Sequence, residues 1–127
     1  MIQRNTPELW VRDIEEAIGF YKQKLGFQLD ARMPEDESKP VEWAMVANDN
    51  ASFMFQHRDE EKQTDGVAFY LFVDGIDATI EEIRSRGVAL EGPVDQFYGY
   101  REATVTDPSG YKLVFTAPVP GTPSASA

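Results

Sequence analysis

The stretch VRDIEEAIGFYKQKLGF, residues 11–27, decides the fold, because its pattern returns 62 residues later. Val11, Ile14, Ile18 and Tyr21 match Val73, Ile76, Ile80 and Ile83 at that constant offset. Ile14, Ala17, Ile18, Tyr21 and Leu25 recur at helical spacing, which predicts one amphipathic helix. Asp13 can cap its start, with Glu16 three residues on to complete a capping box. Gly26 stops the first helix and Gly87 the second. These glycines lie 61 apart, so the second helix is one residue shorter.

Working outward, Pro7–Val11 reads as a strand feeding the first helix, and Val67–Val73 as a strand feeding the second. Asp74 or Asp77 opens the second helix. Phe27 begins a strand after the first stop, and Val88–Leu90 makes a short strand after the second. Met33–Pro40 and His57–Asp65 read as polar connections, and Gly92-Pro93 as a turn. Glu42–Ala47 and Ser52–Gln56 flank the turn Asn48-Asp49-Asn50. Arg101–Thr106 and Tyr111–Thr116 flank Asp107-Pro108-Ser109-Gly110. Both halves therefore share the order strand, helix, glycine stop, strand, loop, strand, turn, strand. Such internal repetition is the signature of a duplicated supersecondary unit. The expected class is α+β, one domain over 1–117, with module one at about 3–57 and module two at about 66–117. The Pro- and Ser-rich segment 118–127 is expected to be a flexible tail.

The 127 residues suit one domain, and 42% hydrophobic content supports an ordinary core. A net charge of −10 opposes a nucleic-acid or anionic-membrane partner and fits a neutral or cationic small ligand. The lack of cysteine excludes disulfides, thiolate metal sites and a cysteine nucleophile. No apolar run is long enough to span a bilayer, and the start shows no signal-peptide pattern, so the expected location is cytoplasmic.

Three motifs carry a resemblance. Val11-Arg12-Asp13-Ile14, Phe20-Tyr21 and Leu25-Gly26-Phe27 resemble the opening signature of the vicinal-oxygen-chelate superfamily. That group includes glyoxalase I, extradiol dioxygenases and bleomycin-resistance proteins. Asp107-Pro108-Ser109-Gly110-Tyr111-Lys112-Leu113 resembles its closing signature, and Gly99-Tyr100-Arg101-Glu102 a strand start of the bleomycin-resistance-like branch. The resemblance spans about residues 5–117. It implies paired βαβββ modules curled into a cup-shaped mixed sheet, a homodimer, and a ligand cavity in each cup. Carried over by position, the metal-ligand sites of the family's enzymes fall on Thr6, near Gly66, and on Val114. None of these supplies the imidazole or carboxylate donors that zinc, iron or manganese require. The expectation is no cofactor and no metal. Glu8, Glu42, Glu102 and His57 offer the material for a relocated site. His57, amid Arg58, Asp59, Glu60 and Glu61, reads better as a solvated linker residue.

Strand alternation sorts the side chains. Leu9, Val11, Phe69, Leu71, Leu113 and Phe115 are expected to face the helices. Glu8, Trp10, Ala68, Tyr70, Phe72, Lys112 and Val114 are expected to face the cup. Trp43 joins them, with either Phe53 and Phe55 or Met54. Phe97, Tyr98 and Tyr100 line a loop at the rim, followed by Arg101. The candidate ligand-binding set is Glu8, Trp10, Trp43, Phe55, Tyr70, Phe72, Tyr98, Tyr100, Arg101 and Lys112. Aromatic walls with a carboxylate suit a flat neutral or cationic ligand; the plainer alternative makes Trp10, Tyr70 and Phe72 core or dimer interface. No Ser–His–Asp set or phosphate-binding loop is present. The expected function is metal-independent binding of an aromatic or cationic small molecule, such as an antibiotic, with no catalytic residues assigned. Two alternatives stay open: a lyase, isomerase or dioxygenase with a relocated metal, and a regulatory domain whose cup is filled.

Overall fold

The computed structural model describes residues 1–59, 64 and 66–121. The chain divides into two compact units, Met1–Gln63 with the turn Asp107–Ser109, and Thr64–Thr106 with Gly110–Ala127. Residues 60–63 and 65 of the expected linker, and 122–127 of the expected tail, lie outside the described residues.

In the first unit, β1 (Glu8–Val11) leads into α1 (Ile14–Gly19), followed by β2 (Gln28–Met33), β3 (Trp43–Asn48) and β4 (Ala51–His57). The sheet order is β1-β4-β3-β2, with β1 parallel to β4 and the other pairs antiparallel. The second unit repeats the plan with β5 (Ala68–Phe72), α2 (Ile76–Ser85), β6 (Glu91–Asp95), β7 (Tyr100–Thr106) and β8 (Lys112–Pro118). Its order is β5-β8-β7-β6, again with the first and last strands parallel. The 62-residue offset thus marks two copies of one βαβββ topology. Among the described residues no helix is long and apolar enough to cross a membrane.

Local departures from the expected pattern have physical causes. The first helix is not uniform: after Gly19 it widens into a π-helical turn, Phe20–Lys24. The one residue by which it exceeds the second helix is absorbed there, as single inserted residues commonly are. Asp13 caps α1 as expected, its Oδ1 accepting from the Glu16 amide at 3.0 Å. Glu16 does not complete the box, because Arg12 holds its carboxylate at 2.8 and 3.0 Å. Neither Asp74 nor Asp77 caps α2. Gly75 occupies that position without a side-chain bond, and Asp77 is engaged by Arg101. His57 is not a linker residue but the last of β4, paired with Val11.

The strand expected at Val88–Leu90 lies instead at Glu91–Asp95, with the expected turn Gly92-Pro93 inside it. The pairing with β7 shifts between Glu91 and Val94, which is a bulge. Gly92 permits it with φ +101°, and a Cβ there would sit 2.8 Å from the Glu102 carbonyl oxygen. Gly92→Ala is expected to destabilise the protein by about 1–3 kcal/mol through backbone strain. Urea unfolding measures this, and a variant as stable as the parent would show that the bulge relaxes.

The first core centres on Tyr21, which is fully buried. Its ring packs against Phe27, Phe53 and Phe55 at centroid distances of 5.4, 5.6 and 5.1 Å. Its hydroxyl donates to Asp107 Oδ2 at 2.8 Å, while Asp107 Oδ1 accepts from the Ser109 amide at 2.9 Å. The second core joins Ile76, Ile80 and Ile83 of α2 to Leu113 and Phe115 of β8 and Val105 of β7. Leu9, Val11, Leu113 and Phe115 are buried as alternation predicts, while Phe69 and Leu71 are half-buried.

Candidate functional site

Residues paired directly across strands share a sheet face. In the second unit Tyr70 pairs with Val114, which pairs with Thr104. Phe72 pairs with Thr116, which pairs with Glu102, and Tyr100 pairs with Pro118. The face opposite α2 therefore carries Tyr70, Phe72, Tyr100 and Glu102. Tyr70 and Phe72 are 51% and 71% exposed. Large apolar groups left in water in this way mark a surface available for contact. Phe72 meets Tyr100 edge-on at 6.1 Å, and Tyr100 meets Tyr98 at 6.1 Å. Phe97, almost wholly exposed, contacts Tyr98 at 5.2 Å.

The loop that presents these rings is a tight hairpin between β6 and β7. The Gly99 amide donates to the Gln96 carbonyl at 3.0 Å, and the Gln96 amide to Tyr100 at 2.8 Å. Glu102 lies on the same face as Tyr100, two residues along β7. Gln96 donates to its Oε1 at 3.2 Å, and the Tyr98 hydroxyl donates to its Oε2. That bond pushes the Tyr98 phenol up to about 12, with desolvation and the negative charge of Glu102 adding in the same direction. The raised value favours the protonated phenol. The bond's contribution is therefore complete below the ordinary tyrosine value of about 10 and is lost as pH rises through about 12. In protein carrying 13C-labelled tyrosine, one ring should titrate near 12 and fall toward 10 in Glu102→Gln. An unchanged midpoint in that variant would remove Glu102 as the cause.

Two residues of the candidate set lie elsewhere in this unit. Arg101, one residue on from Tyr100, projects to the opposite side. It donates to both oxygens of Asp77 at 2.9 and 3.0 Å and to Asp95 at 2.6 and 3.1 Å. This holds the Asp95 carboxyl below its usual range and ties the start of α2 to the sheet. Arg101 is thus a brace between strand and helix. Lys112 is exposed at the head of β8, roughly 13 Å along the strand from Thr116 at about 3.3 Å per residue.

In the first unit Trp10 and Trp43 both pair with Gln56, and Glu8 and Met45 both pair with Met54. Two rows result, Trp10–Gln56–Trp43 and Glu8–Met54–Met45. Trp10 is 41% exposed and carries the Arg58 guanidinium 5.3 Å from its ring centroid. Met54 therefore takes the place left open between it and the phenylalanines. Phe55, fully buried against Tyr21, belongs to the core and not to this face. A separate depression of about 470 Å³ opens beside the start of α1, lined by Arg12, Asp13, Glu15, Glu42, Gln56 and His57. It shares only Gln56 with the tryptophan face, and Arg12 within it is already held by Glu16.

The duplicated βαβββ topology and the two signatures decide the family once they are compared with known proteins. The family model described as Glyoxalase/Bleomycin resistance protein/Dioxygenase superfamily matches residues 3–115. The chain belongs to that superfamily. A search of curated proteins finds no match. Among solved structures, TnmS3, an antibiotic binding protein from Streptomyces sp. CB03234, is 26% identical with a TM-score of 0.75. That match covers 94% of this chain and 98% of that one. TioX from Micromonospora sp. ML1 is 18% identical, with a TM-score of 0.77 and coverage of 93% and 100%. A bleomycin-binding protein solved with bleomycin is 20% identical, with a TM-score of 0.72 and coverage of 93% and 100%.

The three positions that the resemblance assigns to metal ligands do not fit a divalent ion. The Thr6 hydroxyl is engaged with that of Ser52 at 2.8 Å, Gly66 has no side chain, and Val114 is a buried hydrocarbon. Among the described residues no three His, Asp or Glu side chains are grouped as metal donors. Glu102, Gln56, Met54 and Met45 are among the members of these faces that the candidate set missed. Alternation from Tyr100 would have placed Glu102 beside the rings.

Proposed function

We propose that this superfamily member is a metal-independent binding protein for flat aromatic or cationic small molecules, working as a cytoplasmic homodimer. One observation carries the proposal: Tyr70, Phe72 and Tyr100 share one sheet face with Glu102, Tyr98 bonds that carboxylate, and Tyr70, Phe72 and Tyr98 remain exposed. Ring faces attract cations, and a carboxylate among them adds charge complementarity and a strong acceptor. The chain's −10 net charge favours approach of the same class of ligand. The antibiotic binding protein among the structural neighbours, similar over nearly its whole length, supports binding as the shared task. The residues at Thr6, Gly66 and Val114 support the metal-independent reading.

A thermal-shift screen against aromatic amines and antibiotics tests the proposal. A ligand at a hundred times its Kd should add about 2.7 kcal/mol and raise Tm by several degrees. A screen without a stabilising compound would overturn binding and favour a face covered by another part of an assembly. Stoichiometric zinc, iron, nickel or manganese in protein purified without added metal would overturn metal independence.

A further inference from the structure

We infer that Thr116 is a concealed hydrogen-bond anchor that selects, among flat aromatic cations, those bearing N–H donors; the inference rests on the binding reading above. Thr116 is 1% exposed, and its Oγ1 is the buried side-chain polar atom that lacks a hydrogen-bond partner among the described residues. A buried hydroxyl left unpaired is unfavourable, and valine would fill the same space without that cost. Its position is specific. Thr116 lies mid-strand in β8, between Phe72 of β5 and Glu102 of β7.

Phe72 and Tyr100 stand on the two strands that flank β8, and their rings meet at 6.1 Å. Phe72 stands beside Thr116 and Tyr100 beside Pro118, so the ring pair spans β8 between Thr116 and Pro118. Phe72 is 71% exposed, so its ring is held chiefly on one side. Exposed side chains change rotamer on the picosecond to nanosecond scale. A turn of that ring joins Thr116 to the aromatic face.

What is then uncovered calls for a donor. Cβ atoms of directly opposed residues stand about 4.5–5.5 Å apart, so one N–H group can address both Thr116 and Glu102. The Glu102 oxygens accept from Gln96 and Tyr98, and an ionised carboxylate has further lone pairs. The threonine hydroxyl accepts as well as donates. A cation whose charge is sheathed in methyl groups gains the rings but not this pair of acceptors.

Two probes of the same ring system and charge test this, 9-aminoacridinium, which carries N–H donors, and 10-methylacridinium, which has none. Fluorescence titration of the full chain is expected to show 9-aminoacridinium binding about tenfold more tightly. Thr116→Val should remove most of that preference by weakening 9-aminoacridinium alone, with Tm equal to or above the parent's. Thr116→Ser, which keeps the hydroxyl, should retain it. Equal affinities in the parent, or equal weakening of both probes in Thr116→Val, would overturn the anchor while leaving the binding reading intact. Failure of both probes to bind the parent would overturn the two together.

Discussion

Tyr21→Ala is expected to cost about 3–5 kcal/mol of stability, as removal of a buried aromatic ring does. That is a large share of the roughly 5–15 kcal/mol that holds a domain folded. The ring fills the space between Phe27, Phe53 and Phe55, which are themselves buried. Tyr21→Phe separates packing from hydrogen bonding. It keeps the ring and removes the donor to buried Asp107, for about 1.5–3 kcal/mol if the carboxyl is charged. Urea unfolding at constant slope measures both. A Tyr21→Phe variant matching the parent would mean that the Asp107 contact contributes nothing.

Glu102→Gln is the second large effect. The amide keeps the shape of the side chain and an acceptor for Tyr98, and it removes the negative charge among the rings. Affinity for a flat aromatic cation should fall at least tenfold, because a charge-assisted contact is roughly twice as strong as a neutral one. The loss should shrink as salt rises, since screening weakens the parent more than the variant. Isothermal titration with 9-aminoacridinium at two ionic strengths reads both effects. Affinity within twofold of the parent would place the cation elsewhere. Phe72→Ala at the same face serves as a comparison for the ring contribution alone.

Much of the fold is legible because it is written twice. The constant offset joining Val11–Tyr21 to Val73–Ile83 marks two copies of one unit, and both sheets adopt one strand order. What escapes a period-based reading is what departs from a period. The π-helical turn at Phe20–Lys24 and the bulge at Gly92 each insert a residue into a regular ladder. The side-chain direction of β4 was open for a different reason. Phe53, Met54 and Phe55 are all apolar, so alternation offers no contrast, and only the neighbours settle it. Tyr21 takes the two phenylalanines into the core, and Met54 turns outward beside Glu8.

The candidate site was legible where chemistry and exposure coincide. Rings clustered beside a glycine in a short loop, Phe97–Tyr100, have no core to fill. Arg101 misled because adjacency in sequence is the opposite of adjacency on a strand. Its neighbours Tyr100 and Glu102 share a face, and Arg101 reaches the other side to hold Asp77 and Asp95. Thr116 gave no signal in the sequence, since a threonine in a strand is ordinary until its hydroxyl is found without a partner.

The bond between Tyr21 and Asp107 spans 86 residues of chain. The first unit therefore cannot be completed until the turn at Asp107–Ser109 has been synthesised. The segment Met1–Gln63 leaves the ribosome without the turn Asp107–Ser109 that belongs to the same compact unit. At about 5–20 residues per second, the roughly 40 intervening residues take ~2–8 s to follow. During that interval the hydrogen bond from Tyr21 to Asp107 cannot form, and a nascent chain stalled before residue 107 lacks it.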